Sequence, residues 1–231
     1  MAVYGDNIPH NRGLEQANGD PAELRAYLRE GEHQRQDFKF RIDRVPKIAK
    51  TLSAFANTDG GRLLIGVKDN GRIAGIDPEE EYFMIEGAAE LYCKPVVHFK
   101  HRLYQEEDKM VLLIDVPASA ERPHFAKEED GSYRAYLRQG DENFLANRVL
   151  LRYLRDKRPA GDRKNLVAYG PAERTLFDLL SQEGAVSLSK FARQAKLPIY
   201  RAEKILAAFL KWEIIDWFAS DKGIRFRLRE T

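Results

Sequence analysis

The stretch from Val45 to Asp69 leaves the chain few ways to fold. Val45 to Asn57 carries Ile48, Leu52 and Phe55 at helical spacing, with Pro46 in the first turn, where a missing N–H is tolerated. Asn57-Thr58-Asp59-Gly60-Gly61 then ends the helix, because glycine takes the left-handed backbone that closes one. Leu63, Leu64, Ile65 and Val67 follow as a buried strand. Helix, tight turn and buried strand in this order predict an α/β layer, and Asp69-Asn70-Gly71 predicts a hairpin turn before Arg72 to Ile76.

The flanking segments extend this layer. Residues 1–20 show no periodicity and read as an arm. Pro21 to about Glu30 is a short helix with Leu24 and Leu28 on one stripe, and Phe38, Phe40 and Ile42 alternate with Asp37, Lys39 and Arg41 as a strand with one buried face. Asp77-Pro78 starts a helix running to about Cys93, on which Tyr82, Phe83 and Tyr92 share spacing with Ile85, Ala89 and Leu91, a core or interface pattern. Val96 to Tyr104 and Met110 to Val116 form a hairpin, and a second one around Glu128 to Gly131 delivers Tyr133 to Arg138. Asn143 is placed to cap a closing helix from Phe144 to Lys157. These elements make residues 21–157 one α+β domain with a mixed sheet, and 158–170, rich in Pro, Gly and charge, a linker.

Residues 171–231 change character. Ala172 to Glu183 presents Leu176, Leu179 and Leu180 on one face, Ser187 caps a second helix, and Tyr200 to Lys211 is a third with Ala202, Ile205, Leu206 and Phe209 inward. Ile214 to Phe218, a turn at Ser220 to Gly223, and Ile224 to Arg229 complete a two-stranded hairpin. This order resembles a winged helix-turn-helix domain, which implies a recognition helix for a nucleic-acid groove and a wing for the backbone. The exposed face of the third helix would then offer Tyr200, Arg201, Lys204 and Lys211, and the outer face of the last strand Arg225, Arg227 and Arg229.

Charge is distributed accordingly. The 231 residues carry a net +2, yet from Arg152 onward 17 Lys and Arg face 10 Asp and Glu, a net +7 that leaves −5 for the rest. A basic C-terminal part suits a polyanionic partner. One cysteine, Cys93, excludes an intrachain disulfide and a Cys-rich zinc site. No apolar run approaches the roughly 20 residues of a membrane span and the N-terminus lacks an apolar signal core, so the expectation is a cytoplasmic protein without a membrane partner.

The motifs Phe38-Lys39, Ala54-Phe55-Ala56-Asn57-Thr58, Gly60-Gly61 and Gly66-Val67-Lys68-Asp69 resemble the Schlafen AlbA_2 (divergent AAA-4) family over about Glu32 to Asn147, with weaker echoes in Arg122-Pro123-His124 and Tyr136 to Gly140. The resemblance implies nucleic-acid association, with Lys39 and Arg138 as first-domain contacts, and in many bacterial members a regulatory role. In Schlafen-type ribonucleases it implies an acidic triad that binds Mg²⁺ or Mn²⁺ and cleaves RNA. Here Glu32, Asp37 and Asp69 stand at those positions, Lys39 beside them as a candidate phosphate contact, and Asp37 replaces the usual Glu. Clustered carboxylates would hold the cation that neutralises the scissile phosphate. The shorter Asp draws one ligand back by one methylene, so whether the chain is an enzyme stays open. Asp69 beginning a turn and Asp37 pairing with Lys39 or Arg41 are the alternative roles.

Other chemistries are unsupported. Gly60-Gly61-Arg62 lacks the phosphate-loop pattern, so ATP is not expected as a ligand. His98 and His101, three apart on a strand, face opposite sides. The expectations are therefore a DNA- or RNA-binding regulator, a metal-dependent endoribonuclease, or an assembly module. Homodimer formation is compatible with each.

Overall fold

The structure is a computed structural model and describes residues 19–156 and 170–230. The expected linker at 158–170 and arm at 1–20 lie almost wholly outside the described residues.

The leading sheet has the order β1-β2-β5-β4 and is built from β1 (Gln36–Lys39), β2 (Gly61–Ile65), β4 (Lys100–Glu106) and β5 (Lys109–Val116). It is mixed, since β1 and β2 run parallel while β2 with β5 and β5 with β4 run antiparallel. The parallel step follows from the connection, because α2 (Val45–Asn57) carries the chain from the end of β1 back to the start of β2. Ile48, Leu52 and Phe55 of α2 are buried as their spacing requires, and they pack with Leu63 and Ile65. The opposite face, with Phe38, Leu64, Val67 and Tyr104, is covered by α1 (Pro21–Glu30) through Leu24 and Leu28.

A second sheet, order β3-β6-β7-β8, joins β3 (Cys93–Lys94), β6 (Phe125–Lys127), β7 (Tyr133–Gln139) and β8 (Glu142–Leu145). It lies across α2. Beside α2 runs α3 (Pro78–Leu91), capped by Asp77, whose carboxylate accepts from Glu79 N and Glu80 N. Then α4 (Arg148–Arg155) leads to α5 (Pro171–Glu183), α6 (Leu188–Gln194), α7 (Ile199–Lys211) and the hairpin β9 (Ile215–Ser220) with β10 (Gly223–Leu228). Ala135 and Leu137 of β7 and Val149, Leu150 and Leu154 of α4 share one apolar cluster with Leu176, Phe191, Leu206 and Phe226, so the trailing helices and hairpin are packed onto the leading unit.

Several expected elements differ. Arg72 to Ile76 forms a single bridge, Val67 with Ile73, instead of a strand, because Gly66 takes φ 98 and its carbonyl accepts from both Ala74 N and Gly75 N, which breaks the ladder. Residues 96–99 stay outside β4. The closing helix begins at Arg148, capped by Asn147, whose side chain accepts from Leu150 N; Asn143 instead donates to Thr51 Oγ1 from within β8. Cys93 is buried on β3 and not on α3. Phe40, Phe83 and Leu91 are exposed, at 48%, 72% and 70%, so the β1 alternation stops at Lys39 and one stripe of α3 faces outward. Among the described residues no helix is long and apolar enough to cross a membrane.

Candidate nucleic-acid interface

Strand β1 is an edge, and its free side carries the first group of predicted residues. Residues Gln36 and Phe38 turn their backbone groups away from β2, and Glu32 reaches back so that its Oε1 accepts from Phe38 N at 2.9 Å. The Gln36 carbonyl accepts from Arg138 Nη2 at 3.0 Å, and the His33 carbonyl from both Nε and Nη2 of Arg138 at 3.2 Å. The same guanidinium donates to Asp37 Oδ1 at 3.1 Å and lies 4.8 Å from the Phe55 ring centroid. Asp37 Oδ2 is 2.5 Å from Lys39 Nζ, which also donates to the Phe38 carbonyl.

These contacts revise two expectations. The Arg138 side chain is 0% exposed, so it seals the β1 edge instead of meeting a partner; its planar fork suits several carbonyls and a carboxylate at once. Nor do the three acids converge. Glu32 is engaged with backbone, Asp37 is neutralised by two cations, and Asp69 stands exposed in the turn closed by the Gly71 N to Lys68 O hydrogen bond. Among the described residues no group of three or more His, Cys, Asp or Glu is placed to hold a metal ion. A carboxylate already balanced by a buried guanidinium and an ammonium has little charge left for a divalent cation. The set does not fit Mg²⁺ or Mn²⁺.

The motif residues around them act as a clasp. Asn57 Nδ2 donates to the carbonyls of His124 and Tyr136, and Asn57 Oδ1 accepts from His124 N at 2.7 Å. Thr58 Oγ1 accepts from Arg138 N, and Gln34 bridges Asp59, the Arg138 carbonyl and Gly140 N. One residue further, the Gln139 amide extends the clasp to the trailing hairpin, donating to the Trp217 carbonyl and accepting from Ala219 N. Gly60 at φ 71 makes the turn possible, since a Cβ there would stand 2.7 Å from the Val116 carbonyl oxygen.

The cationic side lies on the trailing elements. On α7, Arg201 and Lys204 are exposed and Tyr200 is 52% exposed, with Lys204 Nζ 5.8 Å from its ring. Arg227 is exposed and stacks over Phe218 at 5.4 Å. The expected row of three is broken, however. Arg225 donates to the Ala185 carbonyl at 2.6 Å and Arg229 pairs with Glu213 at 3.2 Å. Lys211 is buried, with its ammonium on the Asp156 carbonyl. What the strand and helix periodicities missed is α4, whose Arg148, Arg152 and Arg155 face α7 across a groove. Their i, i+4, i+7 spacing was the available signal.

The model of the Schlafen AlbA_2 family matches residues 32–147, half of the chain. No curated protein matches. The solved structures that match include the N-terminal domain of a RecG-related protein from Nitrosomonas europaea, at 25% identity and a TM-score of 0.40, covering 50% of this chain and 87% of that one. The DIP2311 protein from Corynebacterium diphtheriae matches at 19% identity and a TM-score of 0.40, covering 71% of this chain and 39% of that one. The family match runs from Glu32 to Asn147 and so encloses the β1 edge, the Asn57 clasp and Arg138; the chain belongs to the Schlafen AlbA_2 family.

Proposed function

We propose that this chain is a nucleic-acid-binding protein of the regulatory kind, with α5 to α7 and the β9–β10 hairpin working as a winged helix held rigidly against the AlbA_2 unit. The observation that carries this reading is the solvent-facing set Arg201, Lys204 and Arg227, which α7 and β10 project beyond the apolar cluster that fixes their backbones. Guanidinium and ammonium groups held this way attract phosphates from any sequence, while Tyr200 offers a ring to stack on. Family membership supports the same partner class. The Gln139 bridge to β9 couples the two units, so binding at the hairpin would be felt at the β1 edge.

The test is fluorescence anisotropy with labelled duplex DNA and labelled transfer RNA across about 50 to 200 mM salt. Affinity should fall steeply with salt, and Arg201→Ala with Arg227→Ala should flatten the log–log slope by about two. Absence of salt-dependent binding to either polymer refutes the reading and leaves an assembly role, with the exposed Phe83 and Leu91 stripe of α3 as its natural surface.

A further inference from the structure

Helices α4 and α7 line an open groove of about 690 Å³ whose walls carry Arg148, Arg152, Arg155 and Asp156 from one side and Glu203 and Lys204 from the other. The three arginines follow one face of α4 and span on the order of 10 Å. Arg148 is 81% exposed at its side chain, so its guanidinium is presented to whatever enters.

Glu203 sits differently. It is 5% exposed, and its Oε1 has no hydrogen-bond partner among the described residues. Arg148 Nη1 stands 3.9 Å from Oε1 and Arg152 Nη2 3.8 Å from Oε2, too far for hydrogen bonds. The Glu203 acceptor is unfilled inside the fold, which is costly unless a donor arrives. The groove therefore asks one ligand for two things: anionic oxygens for the guanidinium forks and an N–H donor for the carboxylate. An acidic peptide would set further carboxylates against Glu203. A nucleotide brings phosphates at one end and a base amino group at the other, and its size suits a groove of this volume.

We propose that the α4–α7 groove is a nucleotide subsite, with phosphates held by Arg148, Arg152, Arg155 and Lys204 and the base amino group donating to the Glu203 carboxylate once that side chain shifts outward into the groove. The nucleotide comes either free or as one unit of a single strand; only the second case rests on the nucleic-acid reading above.

The full chain is titrated with CMP and UMP by calorimetry, and with labelled oligo(dC) and oligo(dT) of about twelve nucleotides by anisotropy. Cytosine carries the exocyclic amino group and thymine and uracil do not, so a preference of about tenfold for the cytosine form is expected. Arg148→Ala with Arg155→Ala, both surface changes, should weaken binding and lower the salt slope by about two. Glu203→Met, which keeps the length and removes the acceptor, should erase the cytosine preference while oligo(dT) affinity holds, with the melting temperature checking that the fold is kept. Binding of CMP alone assigns the free nucleotide, and binding of oligo(dC) alone assigns the strand. If polymers bind but the arginine variants match the parent in affinity and slope, the subsite is overturned and the nucleic-acid reading survives. If CMP binds in the groove and no polymer does, only the nucleic-acid reading falls. Equal affinity for cytosine and thymine forms overturns the role of Glu203.

Discussion

Replacing Arg138 by methionine keeps much of the side-chain length and removes every donor. In the folded chain the guanidinium is 0% exposed and its partner Asp37 7% exposed, so neither is easily reached by water when the other is lost. Removing one member of a buried pair costs about 3 to 5 kcal/mol, and the low end applies because Lys39 remains 2.5 Å from Asp37. The His33 and Gln36 carbonyls on the β1 edge also lose donors, at about 1 kcal/mol each. The expected loss is thus about 5 kcal/mol, a large share of the roughly 5 to 15 that holds a domain together. Urea unfolding followed by tryptophan fluorescence reads it directly. Adding Asp37→Asn should recover about 1 to 2 kcal/mol, since the uncompensated charge is then gone. A loss under about 1 kcal/mol, accompanied by weaker nucleic-acid binding, would refute the edge-sealing role and restore Arg138 as a contact.

Three further outcomes follow from the structure. Hydrogen bonds from Tyr27 and Tyr104, with Arg102 paired alongside, hold the Glu23 carboxyl down at about 2 from its ordinary 4.5, the Tyr27 bond contributing most. Its stabilisation is complete above about 4.5 and is lost as pH falls toward about 2, so Glu23→Gln should lower the melting temperature at neutral pH and narrow its difference from the parent across that window. Gly60→Ala places a Cβ 2.7 Å from the Val116 carbonyl oxygen and 2.8 Å from Ala118 N at φ 71, and should destabilise by about 2 to 3 kcal/mol in the same urea assay. Burial pushes the Cys93 thiol up to about 12, so a disulfide reagent at about pH 8 should label it only after unfolding; rapid labelling of the folded chain would show that β3 opens.

Elements whose evidence is local were readable from the residues. Pro21, the Ile48, Leu52, Phe55 stripe and Ser187 each announce a helix within one or two turns, and α1, α2 and α6 lie where those signals put them. Readings that needed a partner went astray. Phe144 has the apolar character of a helix residue, yet Leu137 opposite it draws the segment into β8 and moves the cap from Asn143 to Asn147. Arg138 was legible as a cation beside a family motif, but nothing near it in the chain tells that Asp37 and two carbonyls wait for it across the fold. The α4 arginines were counted into the basic half without their shared face being drawn.

Periodicity and turn chemistry by themselves placed most of the helices and the β2, β5 and β9–β10 strands, the quoted motifs carried the family resemblance of the leading half, and composition showed that positive charge gathers after Arg152. Only the tertiary structure decided where each charge is used. It set Arg138 and Asp37 inside, tied Arg225 and Arg229 to neighbours, and left Arg148, Arg201, Lys204 and Arg227 facing water. The reason is physical: secondary structure follows from interactions a few residues apart, whereas the fate of a charge depends on what packs over it, and those atoms come from distant parts of the chain.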